Sequence, residues 1–298
     1  MVELSIIIVS FNTKELLKKC LGSIFKHTKG ISFEVIVVDN ASTDSSTKMV
    51  EDEFPQVKLI ENKENVGFGR GNNQGIEKSQ GKYIFLFNSD AYLEENVCPK
   101  LAEFMDRNPQ IGVLAPQILN PNHTIQQSCG FLPNLPQIFY WMSFLDDLPG
   151  GQFLKPYHVD HDSFYKSQHE VGWVTGAAIT LRREALEKSG LFDENIFLYG
   201  DEVELCKRIK NAGFKVVLSP VANVIHLGRG SMERKNIGAI VGEYKGLLYY
   251  YQKHKARWQK TALIILLKFG AILRFIVFGL ILGRKELREA YFQAFQAV

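Results

Sequence analysis

Leu4-Ser-Ile-Ile-Ile-Val9 decides the fold class, because this short run of apolar, mostly β-branched residues predicts a buried strand. Phe33-Glu-Val-Ile-Val-Val38 has the same character and predicts a second buried strand. Between them, apolar residues at helical spacing predict a helix over residues 16–25. A strand, a helix and a second strand in this order are typical of a parallel sheet.

The same alternation continues to residue 87. It predicts helices over 45–53 and 72–79 and strands over 57–60 and 83–87. We therefore predict an α/β fold with a Rossmann-like, mostly parallel, doubly wound sheet and helices on both faces. Ligands bind beyond the carboxyl ends of the strands in such sheets. Phe11, Asn12, Asp39 and Asp90 follow strands there, so we expect these side chains to converge.

Composition excludes several classes of function. The 298 residues are 46% hydrophobic and 22% charged, which is ordinary for a globular chain, and the net charge of +3 is too weak to indicate nucleic acid. The four cysteines form no CxxC pair, so we expect reduced thiols in a cytosolic compartment and no zinc site. Ser5–Val9 is too short for a signal peptide and lacks a basic flank.

The second half of the chain is less regular. Prolines and glycines interrupt residues 120–170, which we interpret either as an excursion that shapes an acceptor pocket or lid, or as a structural insertion. Regular structure is predicted again beyond this stretch. It comprises a strand region over 171–181, helices over 183–188 and 201–212, and strands over 215–218 and 224–226.

The C-terminal stretch 263–282 is almost wholly apolar and long enough to span a bilayer. Lys268 and Arg274 interrupt it. Inserting each central cation into a bilayer costs roughly 2.5–3.5 kcal/mol, and the summed cost is close to the favourable insertion free energy of the aliphatic residues. Basic flanks favour a helix lying in an anionic leaflet, and the alternative is a helix buried against the protein or a partner subunit. We predict a catalytic domain over 1–235 and a membrane-associated helical region over 236–298.

Two loops are candidates for binding a nucleotide. Asp39 follows a strand and can accept hydrogen bonds from a base or ribose, although it could equally cap the next helix. The glycine-rich loop Asn65–Gly75 runs into a helix, where glycine permits close backbone approach and the helix N-terminus favours anions. In that loop Arg70 could hold a phosphate of the nucleotide or a sugar attached to it, although a glycine-rich turn is often only a turn.

Four acidic or imidazole side chains are candidates for catalysis or metal binding. Asp90 at a strand end could hold Mg²⁺ or Mn²⁺ on diphosphate oxygens, and His226 at another strand end could add a ligand. Asp201 and Glu202 open a helix among apolar residues, where a carboxylate with a raised pKa could act as a general base. Each also has a structural interpretation: a loop turn, a structural histidine, or acids favoured by the helix dipole.

Taken together, these segments resemble a known family over residues 3–230. The chain is similar to the inverting glycosyltransferases of family 2, which have the GT-A fold, and especially to their rhamnosyltransferase-like branch. The resemblance rests on Ser5-Ile-Ile-Ile-Val-Ser-Phe-Asn12, Val38-Asp-Asn-Ala-Ser-Thr-Asp44, Asn65-Val-Gly-Phe-Gly-Arg-Gly-Asn-Asn-Gln-Gly75, Phe87-Asn-Ser-Asp90, Gly190-Leu-Phe-Asp193 and Asp201-Glu-Val-Glu204.

The resemblance implies specific roles. Phe11 and Asp39 would contact the nucleotide base, Asp90 would be the acid of the metal-binding DxD-like motif, and His226 would bind metal or diphosphate. Glu202 falls at the catalytic base, but the family's Glu-Asp order is reversed, so the base stays open between Asp201 and Glu202. We expect donor-nucleotide contacts from Ser10, Phe11, Asn12, Asp39, Asn65, Gly67, Arg70, Asn72 and Ser89. We expect diphosphate or acceptor contacts from Trp173, Gly176, Arg229 and Ser231.

The implied function is inverting transfer of a hexose or deoxyhexose, possibly rhamnose, from a dTDP-, UDP- or GDP-linked donor. The acceptor would be a saccharide or a lipid-linked saccharide in cell-surface polysaccharide synthesis, at the cytoplasmic face of the cell membrane. The alternative is a non-catalytic nucleotide-sugar-binding or scaffold protein on a degenerate GT-A fold. A nucleotidyltransferase ranks lower, because Ser10-Phe-Asn-Thr13 replaces the expected glycine-rich, lysine-bearing loop.

Overall fold

A computed structural model describes residues 2–146, 148, 155–228 and 237–298. The strands are β1 Leu4–Ser10, β2 Phe33–Asp39, β3 Lys58–Glu61, β4 Tyr83–Phe87, β5 Ala91–Tyr92, β6 Ile111–Leu119, β7 Cys129–Gly130, β8 His169–Glu170, β9 Trp173–Val174, β10 Ala178–Arg182 and β11 Lys215–His226. The helices are α1 Lys14–His27, α2 Ser46–Glu53, α3 Phe68–Lys78, α4 Val97–Arg107, α5 Leu135–Met142, α6 Arg183–Ser189, α7 Asp201–Asn211, α8 Ile237–His254, α9 Arg257–Arg274 and α10 Lys285–Gln296. A 3₁₀ helix covers Asp162–Lys166, and a π-helix over Phe275–Ile281 extends α9.

Within the described residues, nine strands form one mixed sheet. Its order is β3-β2-β1-β4-β10-β6-β11-β5, and β8 pairs with β11. β1, β2, β3 and β4 are parallel, as are β6 and β11, whereas β10 runs antiparallel to both of its neighbours. β7 and β9 form a separate two-stranded sheet. The predicted mostly parallel α/β fold is confirmed, with β10 as the antiparallel strand that joins its two parallel halves.

Helices cover both faces of this sheet, as predicted for a doubly wound fold. Alternate residues of β1 point into opposite clusters: Ile6 and Ile8 pack with α1, α2 and α4, and Ile7 packs with α3, α6 and α7. A strand that is buried on both faces favours apolar residues at nearly every position, which explains the run Leu4–Val9, where Ser5 is the one polar residue. The elements predicted up to residue 87 occur at nearly the predicted bounds, except for the helix predicted over 72–79.

The structure corrects the glycine-rich segment. Helix α3 begins at Phe68 and not at Asn72, so Arg70 and Asn72 lie within the helix and not in a loop. The backbone at Gly67 has φ +87°, and a Cβ there would lie 2.5 Å from the carbonyl oxygen of Phe197. The glycines of this segment therefore serve close packing within and before a helix, and only its first residues form a loop.

The strand predictions in the second half also need correction. The region 171–181 contains two short strands, β9 and β10, which belong to different sheets. Conversely, 215–218 and 224–226 belong to one strand, β11, whose register with β6 shifts between Leu218 and Asn223. Pro220 lies in that irregularity and Pro116 lies opposite it. Since proline lacks an N–H group, the two prolines sit where the ladder is already interrupted.

The C-terminal helices pack onto the rest of the chain through a third hydrophobic cluster. It contains Ile138 and Met142 of α5, Val203 of α7, and buried residues of α8, α9 and α10. Residues from both sides of position 235 therefore share one core. The division of the chain into 1–235 and 236–298 stays a prediction.

Helix α9 has two apolar faces with different surroundings. Leu263, Leu267 and Ala271 are fully buried against the protein. Ile265, Phe269, Ile272 and Ile276, at helical spacing on the other side, are 41–64% exposed, and we call them the exposed α9 face. Arg257–Ile281 is long and apolar enough to cross a membrane. Only 28% of an apolar 18-residue stretch within it is buried in the protein, unlike the core helix of a soluble protein, which is mostly buried.

The two cations of the apolar stretch do not lie on the exposed α9 face. Arg274 is 5% exposed, and its guanidinium donates to the carbonyl of Met142 at 2.7 Å and to that of Trp141. It thus satisfies carbonyls at the end of α5, and it lies over the ring of Phe144 at 4.4 Å. Lys268 lies 4.8 Å above the ring of Phe295. The interruption of the apolar pattern by Arg274 is therefore a packing feature of this helix.

Candidate active site

A cavity of about 520 Å³ lies beyond the carboxyl ends of β1 and β4, where the topology predicts a ligand site. This volume is in the range of small-molecule sites. The predicted site residues that line it are Ser10, Phe11, Asn65, Gly67, Ser89, Asp90, Gly176, Glu202 and His226. Residues from six separate segments of the chain therefore meet in one place.

Six other predicted residues do not line the cavity. Asn12, Asp39, Asn72 and Asp201 lie behind its wall or in neighbouring loops, and Trp173 packs between two hydrophobic clusters. Arg70 is half exposed and faces Glu194 at 3.6 Å. The Asn72 amide donates to the Phe68 carbonyl of its own helix at 3.0 Å. Arg229 and Ser231 lie outside the described residues.

The loops after β1 and β2 are tied to each other. The Asn12 side chain accepts from the Thr43 amide at 2.8 Å, and the Asn12 amide donates to the Ser42 hydroxyl at 2.8 Å. Asp39 accepts from the Ser42 amide at 2.7 Å through Oδ1. Its Oδ2 is buried and has no hydrogen-bond partner in the described part of the chain. Oδ1 of Asp39 thus stabilises the loop, and Oδ2 can still accept a hydrogen bond.

Asn40 holds the segment that precedes α3. Its buried amide donates to the Asn65 side chain at 3.2 Å and to the Gly67 carbonyl at 3.1 Å, and Asn40 itself lines the cavity. The Phe68 amide in turn donates to the Phe197 carbonyl at 3.1 Å. These bonds bring the segment before α7 against the start of α3. Asn40 was not among the predicted site residues, although it follows Asp39 directly.

Asp90 and His226 lie side by side in the cavity wall. An Asp90 carboxylate oxygen is 3.1 Å from His226 Nε2, and the two side chains are 6% and 13% exposed. The other ring nitrogen, Nδ1, is 2.6 Å from the Gln126 side-chain oxygen, so Gln126 orients the ring. Gln126 was missed because it lies in the irregular stretch 120–170 and belongs to no recognisable motif.

A carboxylate beside an imidazole is a donor set that suits a divalent cation such as Mn²⁺. Within the described residues, no group of three or more His, Cys, Asp or Glu side chains is placed to hold a metal. The protein thus offers two adjacent ligands, and a bound ion would need further oxygens from elsewhere. The neighbouring cavity of about 520 Å³ has room for a small-molecule ligand that could supply them.

Asp201 and Glu202 have different surroundings although they are adjacent. Glu202 lines the cavity, and its Oε1 accepts from the Gly176 amide at 2.8 Å. Asp201 is 1% exposed, and neither of its carboxylate oxygens has a hydrogen-bond partner in the described part of the chain. Burial, and then the charge of Glu202, raise the pKa of Asp201 well above its usual range. Asp201 is therefore the enclosed acid, whose burial disfavours the ionised form, and Glu202 is the side chain that faces the cavity.

The helix that carries Glu202 is anchored by a buried ion cluster on its opposite side. Glu204 has no exposed side-chain surface and contacts Arg208 at 2.8 Å, Lys253 at 2.8 Å and His254 at 3.0 Å. Lys253 also pairs with Asp193 at 2.5 Å. The end of α8 thus fixes α7, and with it the direction of Glu202.

Comparison with known proteins agrees with this geometry. Residues 5–143 match the profile of Glycosyl transferase family 2. The chain is 24% identical to an N-acetylglucosaminyl-diphospho-decaprenol L-rhamnosyltransferase of Mycobacterium tuberculosis, over 91% of both chains. It is 25% identical to a low-salt glycan biosynthesis hexosyltransferase of Haloferax volcanii, over 75% of this chain and 67% of that one.

A solved structure shows the same fold. A mannosyltransferase from Pyrobaculum calidifontis, in complex with GDP-Man and Mn²⁺, superposes with a TM-score of 0.58 at 16% identity, over 99% of this chain and 85% of that chain. The fold is therefore that of the GT-A enzymes, and the protein is a glycosyltransferase. Residues 5–143 are of the glycosyltransferase family 2 type, and the chain is rhamnosyltransferase-like over 91% of its length. The prediction of a family 2 enzyme is confirmed, and the non-catalytic alternative is not favoured.

Proposed function

We propose that this enzyme transfers a hexose or deoxyhexose, with inversion, from a nucleoside-diphosphate sugar to a lipid-linked saccharide. The observation that carries the proposal is that one cavity is lined both by Glu202 and by the adjacent Asp90 and His226. A base and a diphosphate-binding pair in one cavity are what displacement at a sugar carbon requires.

Glu202 is the proposed base. Its carboxylate would take the proton of the acceptor hydroxyl while that oxygen bonds to the anomeric carbon of the donor. The bond between this carbon and the diphosphate breaks on the opposite face, and the nucleoside diphosphate leaves. The Gly176 amide holds Oε1 of Glu202, which leaves the second oxygen for the proton. Asp201 is buried and does not line the cavity, and burial disfavours its ionised form, so Glu202 is the proposed base of the two acids.

Asp90 and His226 are the proposed ligands of Mg²⁺ or Mn²⁺, and the mannosyltransferase with the same fold was solved with Mn²⁺. The ion would neutralise charge on the leaving diphosphate. Three hydroxyl groups that line the cavity form a hydrogen-bonded chain next to Asp90. The Thr13 hydroxyl is 3.0 Å from that of Ser10 and 3.0 Å from that of Ser89. These hydroxyls would add hydrogen bonds to the donor. Asp39 Oδ2 is buried without a partner among the described residues, and we propose that it accepts a hydrogen bond from the nucleobase of the donor.

The donor and acceptor are proposed from the relatives. The mycobacterial relative is named as an L-rhamnosyltransferase that acts on a diphospho-decaprenol-linked sugar, and it matches 91% of this chain. We therefore propose a deoxyhexose such as rhamnose, carried on dTDP, UDP or GDP, as the donor sugar. The proposed acceptor is a polyprenyl-diphosphate-linked saccharide of a cell-surface glycan.

A membrane surface is the proposed location of the enzyme. The exposed α9 face is apolar, and exposed cations lie at both ends of the apolar helix: Arg257 at its start, and Arg284, Lys285 and Arg288 after its end. An apolar face between basic ends matches an anionic leaflet. The opposite face of α9 is buried against the protein, so we propose that the helix lies in the leaflet and does not cross it. The enzyme would be peripheral or monotopic, at the cytoplasmic face.

Thermal unfolding with nucleoside diphosphates tests the donor site. We expect one of dTDP, UDP or GDP to raise the melting temperature more in the presence of Mn²⁺. Asp90→Asn should abolish the part of the shift that depends on Mn²⁺. Asp52→Asn, an exposed carboxylate in a surface pair with Lys48, is the matched control and should keep the whole shift.

A transfer assay tests the base. With the donor identified by the thermal assay, Glu202→Gln should lower kcat by about 10²–10⁴-fold, the usual contribution of a general base, while nucleotide binding persists. If Glu202→Gln transferred sugar at the wild-type rate, this assignment would be wrong. If none of the nucleotides changed the melting temperature with or without Mn²⁺, the proposed donor class would be wrong.

A further inference from the structure

Four aromatic side chains form a cluster beside the cavity without lining it. We call it the aromatic cluster, and its members are Trp141, Tyr157, His158 and Trp173. The ring of His158 is 5.1 Å from Trp141, 4.4 Å from Tyr157 and 5.3 Å from Trp173, between ring centroids. His158 Nε2 is also 2.6 Å from a carboxylate oxygen of Glu243 on α8. The His158 and Glu243 side chains are 38% and 24% exposed, so this polar pair is reachable from solvent.

The cluster adjoins the base through two segments. Trp173 precedes Thr175 and Gly176, which line the cavity, and Gly176 holds Glu202. Tyr199, which also lines the cavity, packs so closely on Gly242 that a Cβ there would collide with its ring, and Glu243 is the next residue. Burial, Glu243 and Glu202 together raise the pKa of Tyr157, so both carboxylates act on this ring. The cluster therefore adjoins the segments that hold Glu202 and line the cavity.

The cluster also adjoins the helices of the exposed α9 face. Trp141 lies on α5, whose last carbonyls bind Arg274 of α9. Met142 packs directly on Gly270 of α9. Phe139, on the same helix α5, is 41% exposed. The aromatic cluster thus stands between the proposed membrane surface and the proposed base.

We propose that the partly exposed members of the aromatic cluster, Trp141, His158 and Trp173, form with Glu243 the subsite for the sugar residue of the acceptor, and that the buried ring of Tyr157 supports them. Aromatic rings pack against the apolar faces of sugar rings, and a carboxylate beside an imidazole offers acceptors and a donor to hydroxyl groups. A lipid-linked sugar would reach it from the exposed α9 face with its hydroxyl towards Glu202. This inference rests on the proposed transfer, and it assigns a binding role to residues that the donor site does not use.

Tryptophan fluorescence can observe this subsite directly. The chain has three tryptophans, and Trp258 is 65% exposed at the start of α9. In a Trp258→Phe background, the remaining emission comes from Trp141 and Trp173 of the cluster. We expect a short-chain alkyl-diphospho-N-acetylglucosamine to change this emission with saturation, in titrations run both with and without the nucleoside diphosphate and Mn²⁺.

Substitutions in the polar pair test the assignment. Glu243→Gln keeps the size of the side chain but removes its charge, and it should weaken binding of the probe about tenfold or more, as expected for loss of a hydrogen bond to a charged group. His158→Gln should weaken it similarly, and it serves as the second variant if Glu243→Gln is poorly folded. Glu103→Gln, an exposed carboxylate on α4, is the matched control and should leave probe affinity unchanged. Nucleotide affinity, measured by calorimetry, should be the same in all of these proteins.

The outcomes separate the two proposals. Nucleotide binding without a saturable change in emission, or with equal probe affinity in Glu243→Gln and His158→Gln, would overturn the acceptor subsite and leave the donor site intact. Saturable probe binding that is lost in both variants supports the subsite. If no nucleoside diphosphate bound, the proposed transfer would fail, and the titration without nucleotide would still decide whether the cluster binds the sugar.

Discussion

Asp201 and Glu202 show how far one residue of sequence can separate two carboxylates in chemistry. Glu202 reaches the cavity and accepts from a backbone amide, whereas Asp201 is enclosed without a hydrogen-bond partner among the described residues. Desolvation penalises the ionised form of Asp201, and Glu202 adds like-charge repulsion. The family resemblance left the base open between the two, and burial distinguishes them.

The pH dependence of unfolding tests the state of Asp201. Since its folded-state pKa is raised, the unfolded chain loses this proton first, and stability falls as pH rises from about 4 towards the folded-state value. The slope cannot exceed about 1.4 kcal/mol per pH unit for one proton. Asp201→Asn should remove this slope and be at least as stable as wild type at pH 8 in urea unfolding. Equal slopes in the two proteins between pH 5 and 8 would show that Asp201 is ionised.

Residue patterns predicted only part of the site. Asp90, Glu202 and His226 were predictable because each lies at the end or start of an element and belongs to a motif. Gln126, which orients His226, and Asn40, which holds the start of α3, were not, because their roles depend on neighbours distant in the sequence. The burial of Asp201, which raises its pKa, likewise follows from tertiary packing and not from its position in the motif.

At the scale of elements, predictability followed the locality of the signal. β1, β2 and β4 are continuous apolar runs, and sequence alone located them within a residue or two. β6 was missed because Gly112 and Pro116 interrupt its pattern, although the proline lies at a gap in the ladder. Arg274 appeared as a cost of membrane insertion, but it binds the end of α5, which no local pattern indicates.

The ion cluster between α7 and α8 should stabilise the fold in a pH-dependent way. Contacts with Arg208, Lys253 and His254 lower the pKa of Glu204 against the effect of burial. A lowered pKa means that this contribution is complete above about pH 4.3 and is lost as pH falls through the lower folded-state value. Glu204→Gln should cost roughly 3 kcal/mol near pH 7, as for breaking a buried pair, and flatten the loss of stability below pH 5.

Urea unfolding at several pH values measures both effects of Glu204→Gln. Glu103→Gln removes a carboxylate that is 61% exposed and pairs only with Arg107, and such surface pairs contribute about 0–1 kcal/mol. This control should therefore resemble wild type at pH 7. A Glu204→Gln protein as stable as the control would mean that α8 does not hold α7 in place.

At the scale of the whole molecule, helix α5 connects the aromatic cluster to α9, because it carries Trp141 and its last carbonyls bind Arg274. The exposed α9 face is the proposed contact with the membrane. Ile265→Glu with Ile272→Glu should weaken binding to phosphatidylglycerol vesicles about 100-fold or more, since each of the two large apolar side chains contributes roughly 1.5–3 kcal/mol when fully removed from water and about 1.4 kcal/mol is tenfold. Vesicle sedimentation measures the binding. The binding that remains should fall as salt is added, because salt screens the cations at both ends of the apolar helix. Gln56→Glu with Gln110→Glu adds the same charge at exposed sites elsewhere and should bind nearly as wild type. Equal sedimentation of the two double variants would show that α9 does not face the lipid, and the lipid-linked acceptor would then need another route to the cavity.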